Sequence, residues 1–185
     1  NPSLVGSEMC IRDSLRNDHR FEDIDIKSTY NKYQPFRKML VRIKKEIISM
    51  GIEDINPSDF TGEKIDPLDL VEKLDKNKDV VLLDTRNEYE VRLGTFENAI
   101  DLNLDSFRDF PEQINNLKNT LEGKEIVMFC TGGVRCEKAS TLMIKNGFKN
   151  VKQIDGGVIN YFIKTGGKYW NCLLYTSPSP RDSDS

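Results

Sequence analysis

The sequence predicts an α/β fold: a mainly parallel sheet with helices on both faces, preceded by the end of a partial α+β domain. Three observations carry this. Val80-Val81-Leu82-Leu83 and Ile126-Val127-Met128-Phe129 are unbroken apolar runs of strand length, as expected for strands covered on both faces. Helical periodicity follows each of several such runs, and strands alternating with helices favour parallel pairing. Both apolar runs end in polar chemistry, at Asp84-Thr85-Arg86 and at Cys130. Ligands of such sheets bind beyond the carboxyl ends of the strands, so Asp84 and Cys130 are expected at one mouth.

The elements follow in chain order. Residues 15–50 read as the end of a partial first domain, with a basic-faced strand over Arg37 to Lys45. Residues 51–62, with Pro57 and several Asp and Asn, read as a linker. The second domain spans 63–171. Asp66-Pro67 opens a helix through Leu70, Val71 and Leu74, since proline suits a first helical turn. Val80 to Leu83 is a strand, and Ala99 to Leu102 reads as another short one. Phe107 to Leu121 reads as helical, interrupted at Pro111. Ile126 to Phe129 is the central strand. The next helix sets Ala139, Leu142 and Met143 on one face and stops at Gly147. Val151 to Ile154 is the last strand, and Gly156-Gly157 leads into a final helix through Val158, Ile159, Tyr161 and Phe162.

Residues 1–14 and 172–185 are set aside as adapter-like and non-native. Allowed codons for Leu4–Asp13 and Cys172–Asp182 can be written as reverse complements, as a sequencing adapter read in frame at both ends would be. Cys10 and Cys172 then leave the cysteine count. The remaining pair, Cys130 and Cys136, forms no spaced disulfide framework, so a reducing cytoplasm is the expected compartment.

Hydrophobic residues make up 37% and charged residues 31%, which fits a globular protein with a modest core. No apolar run approaches the ~20 residues of a membrane span. The net charge of −3 is unevenly spread: residues 51–123 hold eight Lys/Arg against eighteen acids, and residues 124–168 hold eight against three. His19 is the sole histidine, which excludes a His-rich zinc or two-His iron site within the chain and argues against Cys-His catalysis. No flavin or dinucleotide glycine fingerprint is present, so no cofactor, metal or protein partner is identifiable.

Cys130-Thr131-Gly132-Gly133-Val134-Arg135-Cys136 is the chemical centre of the sequence. A cysteine at a strand end, followed by a glycine loop and a helix start, sits where backbone N–H groups and the helix dipole converge. Arg135 adds a full positive charge. Such surroundings lower a thiol pKa and make a nucleophile. A lone cysteine there is ordinarily an inert core residue. The glycines, the arginine and the second cysteine favour the reactive reading. Cys136 is either a disulfide or persulfide partner of Cys130 or a helix-start residue with a structural role. Asp84 and Arg86 either orient the loop or form an internal ion pair. Lys138 and Lys145 either touch RNA phosphate or, as the default, stand on solvated helix faces.

Leu82-Leu83-Asp84-Thr85-Arg86, Gly94-Thr95-Phe96-Glu97-Asn98-Ala99-Ile100, Cys130-x-x-Gly133-x-Arg135, Gly147-Phe148-x-Asn150-Val151 and Gly156-Gly157 resemble the rhodanese family over roughly residues 63–165. Thr95 stands where the family has histidine. A narrower set resembles the rhodanese-domain tRNA uridine hydroxylases: Pro35-Phe36-Arg37, Val41-Arg42-x-Lys44-Lys45-Glu46-Ile47, Asp84-Thr85-Arg86-Asn87-x-Tyr89-Glu90 and Cys130 through Lys138. That resemblance implies oxygen-dependent 5-hydroxylation of the tRNA wobble uridine, with Cys130 essential, molecular oxygen as co-substrate and tRNA as partner. It makes Arg42, Lys44 and Lys45 candidates for tRNA contact. Alternatives are a sulfurtransferase with a persulfide on Cys130, a non-catalytic tRNA-binding module and a cysteine phosphatase. The last is disfavoured because the spacing from Cys130 to Arg135 is one residue short of the phosphatase loop.

Overall fold

A computed structural model of the protein describes residues 13–22, 32–33, 43–44, 46–52, 54–76 and 78–172. The chain divides into two compact units, Asn1–Ile43 and Lys44–Ser185. In the first, residues 13–16 form a helical turn and Arg20 closes onto Asp18 at 2.6 Å. Apart from Ile43 and Lys44, the expected strand over Arg37 to Lys45 lies outside the described residues.

The second unit runs β1 (Glu63–Ile65), α1 (Pro67–Asp75), β2 (Val80–Asp84), α2 (Glu88–Val91), β3 (Thr95–Phe96) and β4 (Ile100–Asp101). A 3₁₀ turn (Phe107–Asp109), α3 (Phe110–Asn116) and α4 (Lys118–Leu121) follow. Then come β5 (Glu125–Phe129), α5 (Val134–Lys145), β6 (Val151–Ile154), α6 (Gly157–Thr165) and β7 (Trp170–Asn171). Five strands form a sheet in the order β1-β6-β5-β2-β4, every neighbouring pair parallel. The expected α/β architecture is therefore present, with β5 at its centre.

The unbroken apolar runs have a simple cause. Successive strand side chains point to opposite faces. Leu83, Ile126, Met128 and Val151 enter one core with α3 and α5 residues such as Phe110, Ile114, Ala139 and Met143. Leu82, Val127, Phe129 and Ile154 enter the other, with Leu70 of α1 and Val158 and Tyr161 of α6. Both faces are buried, so neither can alternate with polar residues.

Several details depart from the sequence reading. Pro111 does not interrupt a helix; it sits in the first turn of α3, where its missing N–H costs nothing. Val151–Ile154 is not the last strand, because β7 pairs antiparallel with β3 as a separate ribbon. Residues 51–62 carry Ile55 into the first core beside Met50, so the compact unit begins before residue 63. Lys138, expected on a solvated face, is 8% exposed and donates to Glu46 Oε1 at 2.6 Å and the Ile48 carbonyl at 3.1 Å. Lys145 is exposed and reaches the Asp54 carbonyl.

The β3–β7 ribbon is tied to the sheet by aromatic packing. The Phe96 ring meets Phe129, Tyr161 and Trp170 edge-on, with centroids 4.8, 4.6 and 5.1 Å away. Phe96→Ala removes the common partner of all three rings and should destabilise the fold by about 3–5 kcal/mol, read as a lower denaturation midpoint in urea.

Candidate active site

Cys130 follows the last residue of the central strand. It is 1% exposed, and its Sγ accepts the Gly133 N–H at 3.1 Å. The bond requires the loop to turn back sharply, and Gly133 makes that turn at φ 92° as the N-cap of α5. The carbonyls of the same loop point the other way. Val158 N–H donates to the Cys130 carbonyl at 2.9 Å and Ile159 N–H to the Thr131 carbonyl at 3.1 Å. The first turn of α6 thus spends its free N–H groups on the loop rather than on a side-chain cap. Gly157 makes this approach possible: a Cβ there would lie 2.4 Å from the Cys130 carbonyl oxygen and 2.7 Å from the Gly133 nitrogen.

This cradle lowers the Cys130 thiol from 9.0 to about 6. The neighbouring Cys136 thiol is the main cause, opposed by burial and assisted by the N–H groups of Cys136 and Arg135 and by the Arg135 charge. Cys136 is fully buried and shifts the opposite way, pushed well above its usual range by burial and by the adjacent thiolate. One sulfur ionises and the other keeps its proton. Both are free thiols. Thr85 lies 3.5 Å from Cys136 Sγ and donates its hydroxyl to the Phe129 carbonyl at 3.0 Å, fixing the end of β5 against β2.

The Arg135 charge acts on the sulfur, but its guanidinium is also paired. Its guanidinium makes a two-pronged contact with Glu90, Nη1 to Oε2 at 2.5 Å and Nη2 to Oε1 at 2.7 Å. Thr131 Oγ1 donates to the same carboxylate at 2.5 Å, and Asn87 N–H does so at 3.2 Å. Burial pushes the Glu90 carboxyl up, but Arg135, Thr131 and the Asn87 N–H together hold it down at about 2. Burial likewise pulls the Arg135 guanidinium down, and Glu90 more than reverses it.

Asp84 and Arg86 form the internal ion pair. Arg86 Nε and Nη2 reach the Asp84 carboxylate at 2.9 and 2.6 Å, and both side chains are nearly excluded from solvent. The remaining Arg86 donors go to the carbonyls of Gly94 at 2.7 Å and Glu90 at 3.2 Å, while the guanidinium faces the Trp170 ring at 4.9 Å. Thr95 Oγ1 donates to Asp84 at 2.8 Å. The pair therefore acts on the site indirectly, by holding the backbone of Glu90.

Thr131 and Gly132 are exposed on the loop, and Val134 is an exposed apolar residue at its rim. Lys44 is exposed; Arg42 and Lys45 lie outside the described residues. Glu90 and Gly157 are the two contributors to which sequence reasoning gave no role, although both lie in segments quoted above. The Glu90–Arg135 contact spans 45 residues and leaves no local signal. Among the described residues no cluster of His, Cys, Asp and Glu has the form of a metal site. No helix among them is long and apolar enough to cross a membrane.

A parallel sheet with a cysteine and glycine loop between its central strand and the next helix defines a class. The chain belongs to the rhodanese-like family, whose domain matches residues 66–163. It is 43% identical over 185 residues to the tRNA uridine(34) hydroxylase of Cupriavidus necator, covering 95% of this chain and 66% of that protein. It is 46% identical over 145 residues to the tRNA uridine(34) hydroxylase of Prochlorococcus marinus, covering 76% of this chain and 46% of that protein. The chain thus spans less than two thirds of the length of these relatives. The rhodanese-like domain of an Anabaena protein shares the fold with a TM-score of 0.52 at 18% identity, covering 63% of this chain and 84% of that one.

Alkylation of Cys130, followed by peptide mass spectrometry, should have a midpoint at pH about 6 and slow below it as the thiolate is protonated. A midpoint near the ordinary 9.0 would show that the cradle does not ionise the thiol. Gly157→Ala should leave the sheet folded by circular dichroism yet move that midpoint upward, because the added methyl forces the loop away from α6.

Proposed function

We propose that this chain carries the rhodanese-like part of an enzyme that hydroxylates C5 of the wobble uridine in tRNA. The reaction uses molecular oxygen and requires the Cys130 thiolate. The observation that carries this reading is the pairing of a reactive thiolate with close similarity to proteins named tRNA uridine(34) hydroxylase, at 43% identity over nearly the whole chain. Cys130 is the nucleophile at the mouth. A thiolate in this setting is open to oxidation by the oxygen co-substrate to a sulfenate, or to attack on a sulfane-sulfur donor that leaves a persulfide as the donor's remainder departs. Arg135, Glu90 and the glycine loop hold it in place. The partner is tRNA in the cytoplasm. Exposed Lys44, with Arg42 and Lys45, is offered as a contact to its phosphates, since clustered cations bind RNA backbone without reading sequence.

A sulfurtransferase is the second reading. The N–H groups that favour a thiolate also favour a persulfide on the same sulfur, and the Gly133 contact at 3.1 Å suits either anion.

The test is complementation. The protein, with the flanking sequence its relatives carry restored, is expressed in bacteria lacking wobble-uridine hydroxylation, beside Cys130→Ala. Nucleoside mass spectrometry should find 5-hydroxyuridine derivatives only with Cys130 present. A folded protein that restores none, yet gains one sulfur on Cys130 from thiosulfate, would transfer the proposal to the second reading.

A further inference from the structure

The charge inventory around Cys130 is unusual for an anion cradle. The thiolate contributes one negative charge, Arg135 one positive and Glu90 a second negative. Cys136 stays neutral and Asp84 cancels Arg86. These groups therefore sum to one negative charge although a helix N-terminus and an arginine act on the sulfur. Glu90 is responsible: both of its oxygens are spent on Arg135 and Thr131, and the two-pronged contact leaves the guanidinium fork occupied. The side chains are only 17% and 16% exposed, so water screens the pair weakly. The arrangement is also held from behind, since buried Arg86 fixes the Glu90 carbonyl at 3.2 Å.

We infer that Glu90 is a specificity-determining residue: by occupying Arg135 it denies that guanidinium to anionic reactants and leaves Cys130 selective for uncharged ones. A neutral nucleobase belongs to the favoured class. Thiosulfate belongs to the disfavoured one. The inference rests on Cys130 as the reacting thiolate but not on the hydroxylation chemistry, so it stands or falls separately from the tRNA assignment.

Removing the Glu90 charge releases Arg135 toward an incoming anion. With thiosulfate the step is a simple displacement. The Cys130 thiolate attacks the outer sulfur, a new S–S bond forms, the bond to the oxidised sulfur breaks, and sulfite leaves with the electron pair. Charge and electron count are the same on both sides.

The experiment compares iodoacetate with iodoacetamide, an anionic and a neutral reagent with the same reacting carbon. Rates at Cys130 are followed by peptide mass spectrometry on the full chain, well above the thiol midpoint so that ionisation is complete throughout. In the native protein the ratio of anionic to neutral rate should be no higher than that of a free cysteine thiol. Glu90→Gln, which keeps the shape and loses the charge, should raise the ratio about tenfold and accelerate persulfide formation from thiosulfate. Glu90→Asp retains the charge and should stay close to native. A native ratio well above the free thiol, an unchanged ratio in Glu90→Gln, or equal shifts in Glu90→Gln and Glu90→Asp would each overturn the inference. The native measurement needs no variant to fold.

Discussion

Everything at the site depends on how the backbone on either side of Cys130 is turned. The carbonyls of Cys130 and Thr131 face the first turn of α6, and the N–H groups that follow face the sulfur. A peptide chain cannot present both kinds of group to one point, so a loop that cradles an anion must place its carbonyls elsewhere. Here α6 receives them. The helix therefore needs no side-chain cap, and the Cys130 and Thr131 carbonyls both have partners. The close approach leaves no room for a Cβ at Gly157, which makes a residue 27 positions downstream as much a part of the site as the loop itself.

A second layer holds charge in register. Asp84 and Arg86 are buried together, and their hydrogen-bonding capacity is shared among Thr95, Gly94 and Glu90. Breaking such a pair would strand a charge out of water, a cost far larger than that of any exposed ion pair. The polar residues at the end of β2 thus reach Cys130 through a chain of contacts, from Asp84 to Arg86, from Arg86 to the backbone of Glu90, and from Glu90 to Arg135. The two apolar runs deliver their polar ends to the same edge of the sheet because they are adjacent parallel strands in register, with Asp84 opposite Phe129.

What could be read from the sequence was what has a local period or a local motif. The doubly buried strands announce themselves as continuous apolar runs, and the cysteine loop announces itself by composition. Val151–Ile154 is the strand expected, but Pro111 and the absence of any later strand are misread for local reasons: proline at a first turn resembles a break, and a two-residue strand such as β7 carries too few residues for a period. The partners of Arg135 and Lys138 were out of reach in a different way. Glu90 and Glu46 lie 45 and 92 residues distant, and each is one acid among many in its own segment. Only the fold decides which acid meets which base.

The stretch that reads as a linker is fastened at many points. Thr61 and Gly62 bond Ser140, Thr141 reaches the Phe60 carbonyl, Gln153 reaches the Gly62 carbonyl, and Lys145 reaches the Asp54 carbonyl; just ahead of the stretch, Lys138 grips Glu46. At the other end, β7 closes over β3 beyond the last family-matched residue. The segment matched by the rhodanese-like domain, 66–163, is thus shorter than the piece that packs as one body. For anyone transplanting this module into another polypeptide, the seams belong outside both straps, near residue 44 and after residue 171. A graft trimmed to the family-matched segment would arrive without its own fasteners.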